Sequence, residues 1–435
     1  MLHRIYNLSL VCAIVLTTTS CGVGGGGEPT GKGKAKTGKA KASKGSHKPR
    51  VDLVSQISRA RLDDSIELAA RYLQNSVKKN GQFVYHAMSN PAVLVAPEYN
   101  ILRHAGSLYA LAHYHIHAKG DTSALLQATT FLTRDCLDTV DEQPGILALW
   151  SPPEITKTGR PLQAKLGGAG LGLVAFSTIA KIKPNVISLS KSQQLARFIL
   201  FMQKKDGSYY SVFYPFEGGR DAEWTSLYYP GEAALGLLML YERDNDQRWL
   251  DAAARTVNYL VTSQEKKRQV LKDHWILLTL ERLLPVYHKA THRIDRKRII
   301  KHAVRTVTMF LDEQAPQKGH ADYDGSFTSD GLTNPAATRL EGMLASLKFL
   351  PEESIVLRQK VSLSIQAGIR FLLKAQYRTG KLKGGLPRAI KQLPKGHEYY
   401  DVTFNRLAGA VRIDNVQHAL SAFLRFRETF KLKSP

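Results

Sequence analysis

Acids, bases and cations fall in short clusters along this chain, each at or just before the start of a strongly apolar stretch. One is Tyr228-Tyr229-Pro230-Gly231-Glu232, another is Asp273-His274-Trp275, and a third runs Arg412, Asp414, Gln417, His418. Glu98, Tyr99, Arg103 and His104 form an earlier cluster, while Lys165 alone, and Arg339 with Glu341, mark two more. Carboxyl, imidazole and phenol groups are the side chains that move protons in enzymes. Arginine adds a planar fork that holds carboxylate or phosphate. Tyr99, Tyr228, Tyr229 and Trp275 offer flat faces on which sugars stack.

Each of these residues also has a purely structural use. Glu232 would stand in the first turn of a helix, where the helix dipole favours a carboxylate without any catalytic duty. Asp273 is placed to cap a helix, which would leave His274 facing a cavity. Arg103 reads as a binder of anions and not as a general acid, and Arg339 and Glu341 would serve equally as ion-pair partners in a wall. No metal is expected. His104, Asp273, His274 and His418 show no HExxH-like spacing, and His113, His115 and His117 skip one residue at a time, which a helix sends to different faces. The run Asp322-Tyr323-Asp324-Gly325-Ser326 starts like a calcium loop, but its glycine comes too early and Thr333 stands where the bidentate Glu belongs. No cofactor is expected either. There is no Walker A sequence, and Gly167-Gly168-Ala169-Gly170-Leu171-Gly172 lies inside a helical pattern, where small residues permit close packing.

The elements that must position these residues are helices in a repeating order. Residues 228–241 are apolar on every side except at the start, so they form a helix buried inside a larger body. An amphipathic helix is predicted over about 63–79, with Ile66, Ala69, Ala70, Leu73 and Val77 on one face. Asn80-Gly81 stops it, and an apolar helix follows over about 102–117. The same pair recurs: 123–137 with 166–173, a helix closed by Lys204-Lys205-Asp206-Gly207 with the one at 229, 246–263 with 273–287, 295–312 with 338–349, and 354–376 with 412–426. That is six helical hairpins at an uneven step of about sixty residues, with the longer loops mostly between outer and inner helix.

This architecture resembles the (α/α)6 toroid of the six-hairpin glycosidase-like superfamily, over about residues 63–430, although no motif of one member family is present. The resemblance implies an all-α ring whose parallel inner helices bring their N-termini, the long loops and the polar clusters to one mouth. It also implies action on polysaccharides, many of them uronate-containing. On that reading the catalytic candidates are Glu232, Asp273, His274 and Tyr229, and the substrate-binding candidates are Tyr99, Arg103, His104, Tyr228, Trp275, Arg339, Glu341, Arg412 and Asp414. A lyase or epimerase would use Arg103, Arg339 or Arg412 on the uronate carboxylate and Tyr229 or His274 as base and acid. A hydrolase would use Glu232 with Asp273. A non-catalytic protein that binds glycan, peptide or lipid carrier in the same cavity is the reading from another class.

Charge and the N-terminus set the context. The net charge is +24, of which eight come from seven Lys and one Arg between residues 32 and 50, a span with no acid. The rest favours an anionic partner such as acidic polysaccharide, phospholipid headgroups or nucleic acid, of which the resemblance selects an anionic polysaccharide or other envelope glycan. His3 and Arg4 precede an apolar run over 8–16 and then Thr17-Thr18-Thr19-Ser20-Cys21, which resembles a bacterial lipoprotein signal, with Thr18 where an aliphatic residue is usual. Residues 1–20 are then a signal peptide, Cys21 carries lipid, 21–50 form a flexible Gly/Lys-rich tether, and 51–435 form one toroid domain. Such a protein is lipid-anchored in a bacterial cell envelope, facing periplasm or exterior. Nucleic acid is not a partner there, and no protein partner is predicted. Cys136, the cysteine left over, reads as a small core residue.

Overall fold

The computed structural model describes residues 57–430; the expected signal peptide, Cys21 and the tether lie outside the described residues. Outer and inner helices alternate, beginning with α1 (Arg59–Asn75) and α2 (Ile101–His117). Next come α3 (Ser123–Phe131), a short α4 (Pro153–Thr156), α5 (Leu166–Ile179), α6 (Leu189–Met202) and α7 (Tyr229–Asp244). The remainder are α8 (Gln247–Gln264), α9 (His274–Val286), α10 (Arg296–Gln314), α11 (Thr333–Ser346), α12 (Ile355–Ala375), a short α13 (Val402–Leu407) and α14 (Ile413–Thr429). The inner helices α2, α5, α7, α9, α11 and α14 pack side by side in chain order, and α14 returns to α2, so the ring closes. Outer helices lie against the inner helix before them, as α6 does on α5, α8 on α7 and α12 on α11, with α1 set against α14.

Small residues bring the inner helices together. Every residue of α5 is buried. A Cβ on Gly170 would lie 2.6 Å from the Ala233 nitrogen, and one on Gly236 would lie 2.6 Å from the Gly170 carbonyl oxygen. The α5–α7 approach is therefore one that only glycine allows. The outer ring is joined by a repeated turn: Gly81, Gly207, Gly325 and Gly384 all have φ between +84° and +90°, and each packs on a backbone carbonyl of another outer helix, at Gln127, Arg255, Ala367 and Leu68 respectively. The last of these ties the loop after α12 back onto α1.

Three features differ from the sequence reading. Helix α1 begins at Arg59 because Ser58 caps it, its hydroxyl accepting the Arg61 N–H at 3.2 Å, and it ends by Asn75 because Val77 bridges to Phe83. Helix α11 begins at Thr333, ahead of the expected 338, because Pro335 falls in a first turn where its missing N–H costs nothing. Two of the long loops also carry a five-stranded antiparallel meander of β2 (Leu137–Thr139), β3 (Leu147–Ser151), β4 (Gln163–Lys165), β5 (Val212–Tyr214) and β6 (Gly219–Arg220). A second ribbon pairs β1 (His86–Ala87) with β7 (Val411–Arg412). Among the described residues no helix is long and apolar enough to cross a membrane.

Candidate functional site

The mouth formed by the inner-helix N-termini begins at the seam between α2 and α14. The β1–β7 ribbon sets His86 beside Arg412, and the Ile413 N–H donates to the Tyr85 carbonyl at 3.1 Å, which fixes the start of α14. Asp414, in the first turn, accepts Arg412 Nε at 2.6 Å and Nη2 at 2.9 Å, and pairs with Arg103 Nε at 3.0 Å. Arg103 also donates to the Tyr85 hydroxyl. Burial alone would raise the Asp414 carboxyl, but the two guanidinium groups outweigh it and hold the pKa below the usual range. Two cations against one anion leave the seam positive. Half-buried Lys165 adds to this, its pKa lowered first by burial and then by Arg160 and Arg103.

At the ring centre, the starts of α7 and α9, the third turn of α11 and the second turn of α14 bring together groups with little company. Asp273 caps α9 as the sequence reading expected, its Oδ1 accepting the Trp275 N–H at 2.9 Å. Its Oδ2, Glu232 Oε2, Glu341 Oε1 and both nitrogens of His274 have no hydrogen-bond partner among the described residues. Buried polar groups are normally paired, so five orphans in one place mark a site built to meet something else. Burial pushes Glu232 well above the ordinary carboxyl range, with Asp273 adding to it, and pushes Asp273 up to about 8. Burial pushes His274 well below the usual imidazole value, helped by His418 and Arg339, so this ring is neutral near pH 7. His418 Nδ1 lies 2.6 Å from Glu341 Oε2, and His274 Nε2 lies 3.8 Å from the same oxygen, with the two rings 5.5 Å apart.

Other expected site residues fall in the wall. The Tyr99 hydroxyl accepts the Phe83 N–H and meets His104 Nδ1 at 2.7 Å, while His104 Nε2 bonds the Ala128 carbonyl oxygen. Tyr99 and His104 are thus buried with every side-chain polar atom engaged, against α2 and α3. Arg339 turns to Glu313 at 3.1 Å and lies over Phe310, also within the wall. Trp275 is buried, tilted against His274 at 4.6 Å. Half-buried Tyr228 stands edge-on to His274 at 5.9 Å. Burial first, and the Glu232 carboxyl second, push the Tyr229 hydroxyl up, which suits a proton donor and not a base. Sequence reasoning passed over Tyr85 and Glu313, because nothing local distinguishes them from other loop and helix residues.

The opposite mouth, where the inner helices end, holds a cavity of about 630 Å³ lined by Tyr109, His113, His117, Glu242, Arg425 and Glu428 among others. His113 and His117 are four residues apart on α2 and share a face, and each places Nε2 2.8 Å from Glu428 Oε1. The expectation of no ready ligand set among these histidines therefore fails for this pair. His115 alone turns away, to Gln74.

No protein-family model and no curated protein matches the sequence. Solved structures do match the fold. A cellobiose 2-epimerase from Spirochaeta thermophila superposes with a TM-score of 0.61 at 13% identity, covering 87% of this chain and 99% of that one. A D-mannose isomerase gives 0.60 at 12%, covering 88% and 100%. An unsaturated glucuronyl hydrolase specific for heparin gives 0.57 at 15%, covering 86% and 100%. These neighbours are six-hairpin glycosidase-like proteins, and the chain has their fold, an all-α (α/α)6 toroid.

Proposed function

We propose that this protein is a carbohydrate-active enzyme that moves protons at a sugar carbon next to a carbonyl or carboxylate, as an epimerase or lyase of an anionic, uronate-type envelope polysaccharide. The observation that carries the reading is the buried pair His274 and His418, 5.5 Å apart and both beside Glu341. A neutral, desolvated His274 is a competent base. Glu341 Oε2 accepts the Nδ1–H of His418 at 2.6 Å, which leaves Nε2 to exchange a proton with substrate. The first histidine takes the carbon-bound proton, leaving an enolate. For the second step His418 must carry a proton on Nε2 as well as on Nδ1; returning it to the opposite face completes epimerisation, whereas giving it to the neighbouring glycosidic oxygen as the C–O bond breaks completes elimination. The positive seam of Arg103, Arg412 and Lys165 suits a uronate carboxylate and would stabilise negative charge spreading onto it. The epimerase and isomerase among the structural neighbours agree with this chemistry, and the glucuronyl hydrolase with this substrate class. Residues 1–50 support an envelope location with Cys21 as the lipid anchor.

Glu232 and Asp273 favour a second reading. Both carboxyl groups are buried and raised, as a hydrolase acid would be. The test is turnover of acidic and neutral polysaccharides and their oligosaccharides in deuterated water. Deuterium incorporation at a sugar carbon, or an unsaturated product absorbing in the ultraviolet, lost in His274→Ala and His418→Ala but kept in Glu232→Gln, is the expected result. New reducing ends without exchange, lost in Glu232→Gln, would establish the hydrolase. Binding without any turnover would leave a glycan-binding protein.

A further inference from the structure

The geometry points to a transition-metal site at the far mouth of the ring, in which His113, His117 and Glu428 bind one divalent ion of the zinc class. It is separate from the cluster used above and stands or falls independently of it. Three observations converge on these residues. Their ligand atoms all lie within 4.8 Å of one another, and the two imidazole nitrogens each sit 2.8 Å from the same carboxylate oxygen. An ion bound by nitrogen and oxygen at about 2.0–2.2 Å holds its ligands roughly 3 Å apart, close to the two 2.8 Å separations between imidazole nitrogen and carboxylate oxygen seen here. Four-residue spacing on α2 supplies two of the ligands from one helix face, and α14 supplies the third.

The surroundings suit a cation with an open coordination position. His117 and Glu428 are about one-third exposed, at 35% and 37%, and face the 630 Å³ cavity. Two imidazoles and a carboxylate with an exchangeable fourth position is a donor set that zinc favours, whereas calcium or magnesium would ask for oxygens alone. The inner helices all end at this mouth, and their C-terminal dipoles favour positive charge there. Lys181, Arg282 and Arg425 also line this cavity; Arg425 is held by Glu281 at 2.8 Å and Arg282 by Glu242 at 2.6 Å, which offsets the repulsion of those two. Because α2 and α14 are the first and last inner helices, the bound ion would clasp the ring where it closes.

The test is titration of the purified full-length chain, without a histidine tag, with cobalt(II) read by its visible d–d bands, followed by displacement with zinc. One equivalent with a low-coordinate spectrum is expected, with affinity falling at least about 100-fold in His117→Ala and in Glu428→Gln, since each removes a ligand. His418→Ala should leave binding unchanged, because that residue belongs to a separate cluster of two histidines and a glutamate, buried where this one is partly exposed. Zinc should raise the melting temperature of the wild type and of His418→Ala but not of His117→Ala. Histidines outside the described residues are present in every variant, so the differences report this site alone. Absence of cobalt binding, or binding kept in His117→Ala and lost in His418→Ala, would overturn the proposal.

Discussion

Replacing Asp273 by Asn isolates the electrostatic cost built into the ring centre. The carboxyl is buried, with Oδ1 capping α9 and Oδ2 unpartnered among the described residues, and burial outweighs the Trp275 and Ile276 N–H groups to bring its pKa from 3.8 to about 8. A group whose folded pKa is raised binds an extra proton in the native state. Its contribution is fully present below about pH 4 and is lost as pH rises through about 8. At about 1.4 kcal/mol for each tenfold change in proton affinity, the gap sets a ceiling of about 6 kcal/mol, and relaxation of a buried site brings the expected loss to about 3 kcal/mol. Asparagine keeps the cap and cannot ionise. Near pH 4.5 the variant should match the wild type within about 1 kcal/mol, and near pH 8.5 it should be more stable by about 3 kcal/mol. Glu232, raised partly by Asp273, shifts the difference in the same direction. His104, His274 and His302, whose pKa values are lowered, gain stability as pH rises toward the usual imidazole value, but both proteins contain them and they cancel. Urea unfolding curves at about pH 4.5, 6 and 8.5 measure the difference. A stability difference that does not change with pH would refute the reasoning.

Gly207→Ala should cost about 3 kcal/mol by urea unfolding, because alanine strains the φ of +90° and its Cβ would meet the Arg255 carbonyl, with backbone on both sides. Arg425→Ala leaves Glu281 without its guanidinium beside a helix C-terminus, and thermal melts should show a loss of about 3 kcal/mol, reduced when Glu281→Gln is added. Glu341→Gln keeps the volume but no longer fixes the His418 tautomer; on whichever sugar is turned over, kcat should fall about 100-fold with KM little changed, together with an altered pH–rate profile.

The ring itself was legible in the chain. An apolar run such as 229–241 has no face to give to solvent, and six such runs alternating with amphipathic ones have few ways to hide except as the lining of a closed ring. The polar clusters at the helix starts were legible too, since Asp273 and Asp414 sit where caps and helix dipoles favour them. Short strands were not, because β2 to β6 run for five residues or fewer inside loops and carry little alternation to read. Nor was the division of the clusters between site and wall. Tyr99 and His104 look like Tyr229 and His274 in sequence, but Phe83 and Ala128 bury the first pair with its hydrogen bonds complete. Helical period alone puts His113 beside His117, yet only ring closure brings Glu428 to them, and it is the packing of α14 on α11 that brings Glu341 to His418 across 77 residues. Local sequence determines which residues a helix can present, because backbone geometry repeats every few residues. Which of them meet is decided by packing, because the partners lie on different helices whose spacing is set by glycines such as Gly170 and Gly236.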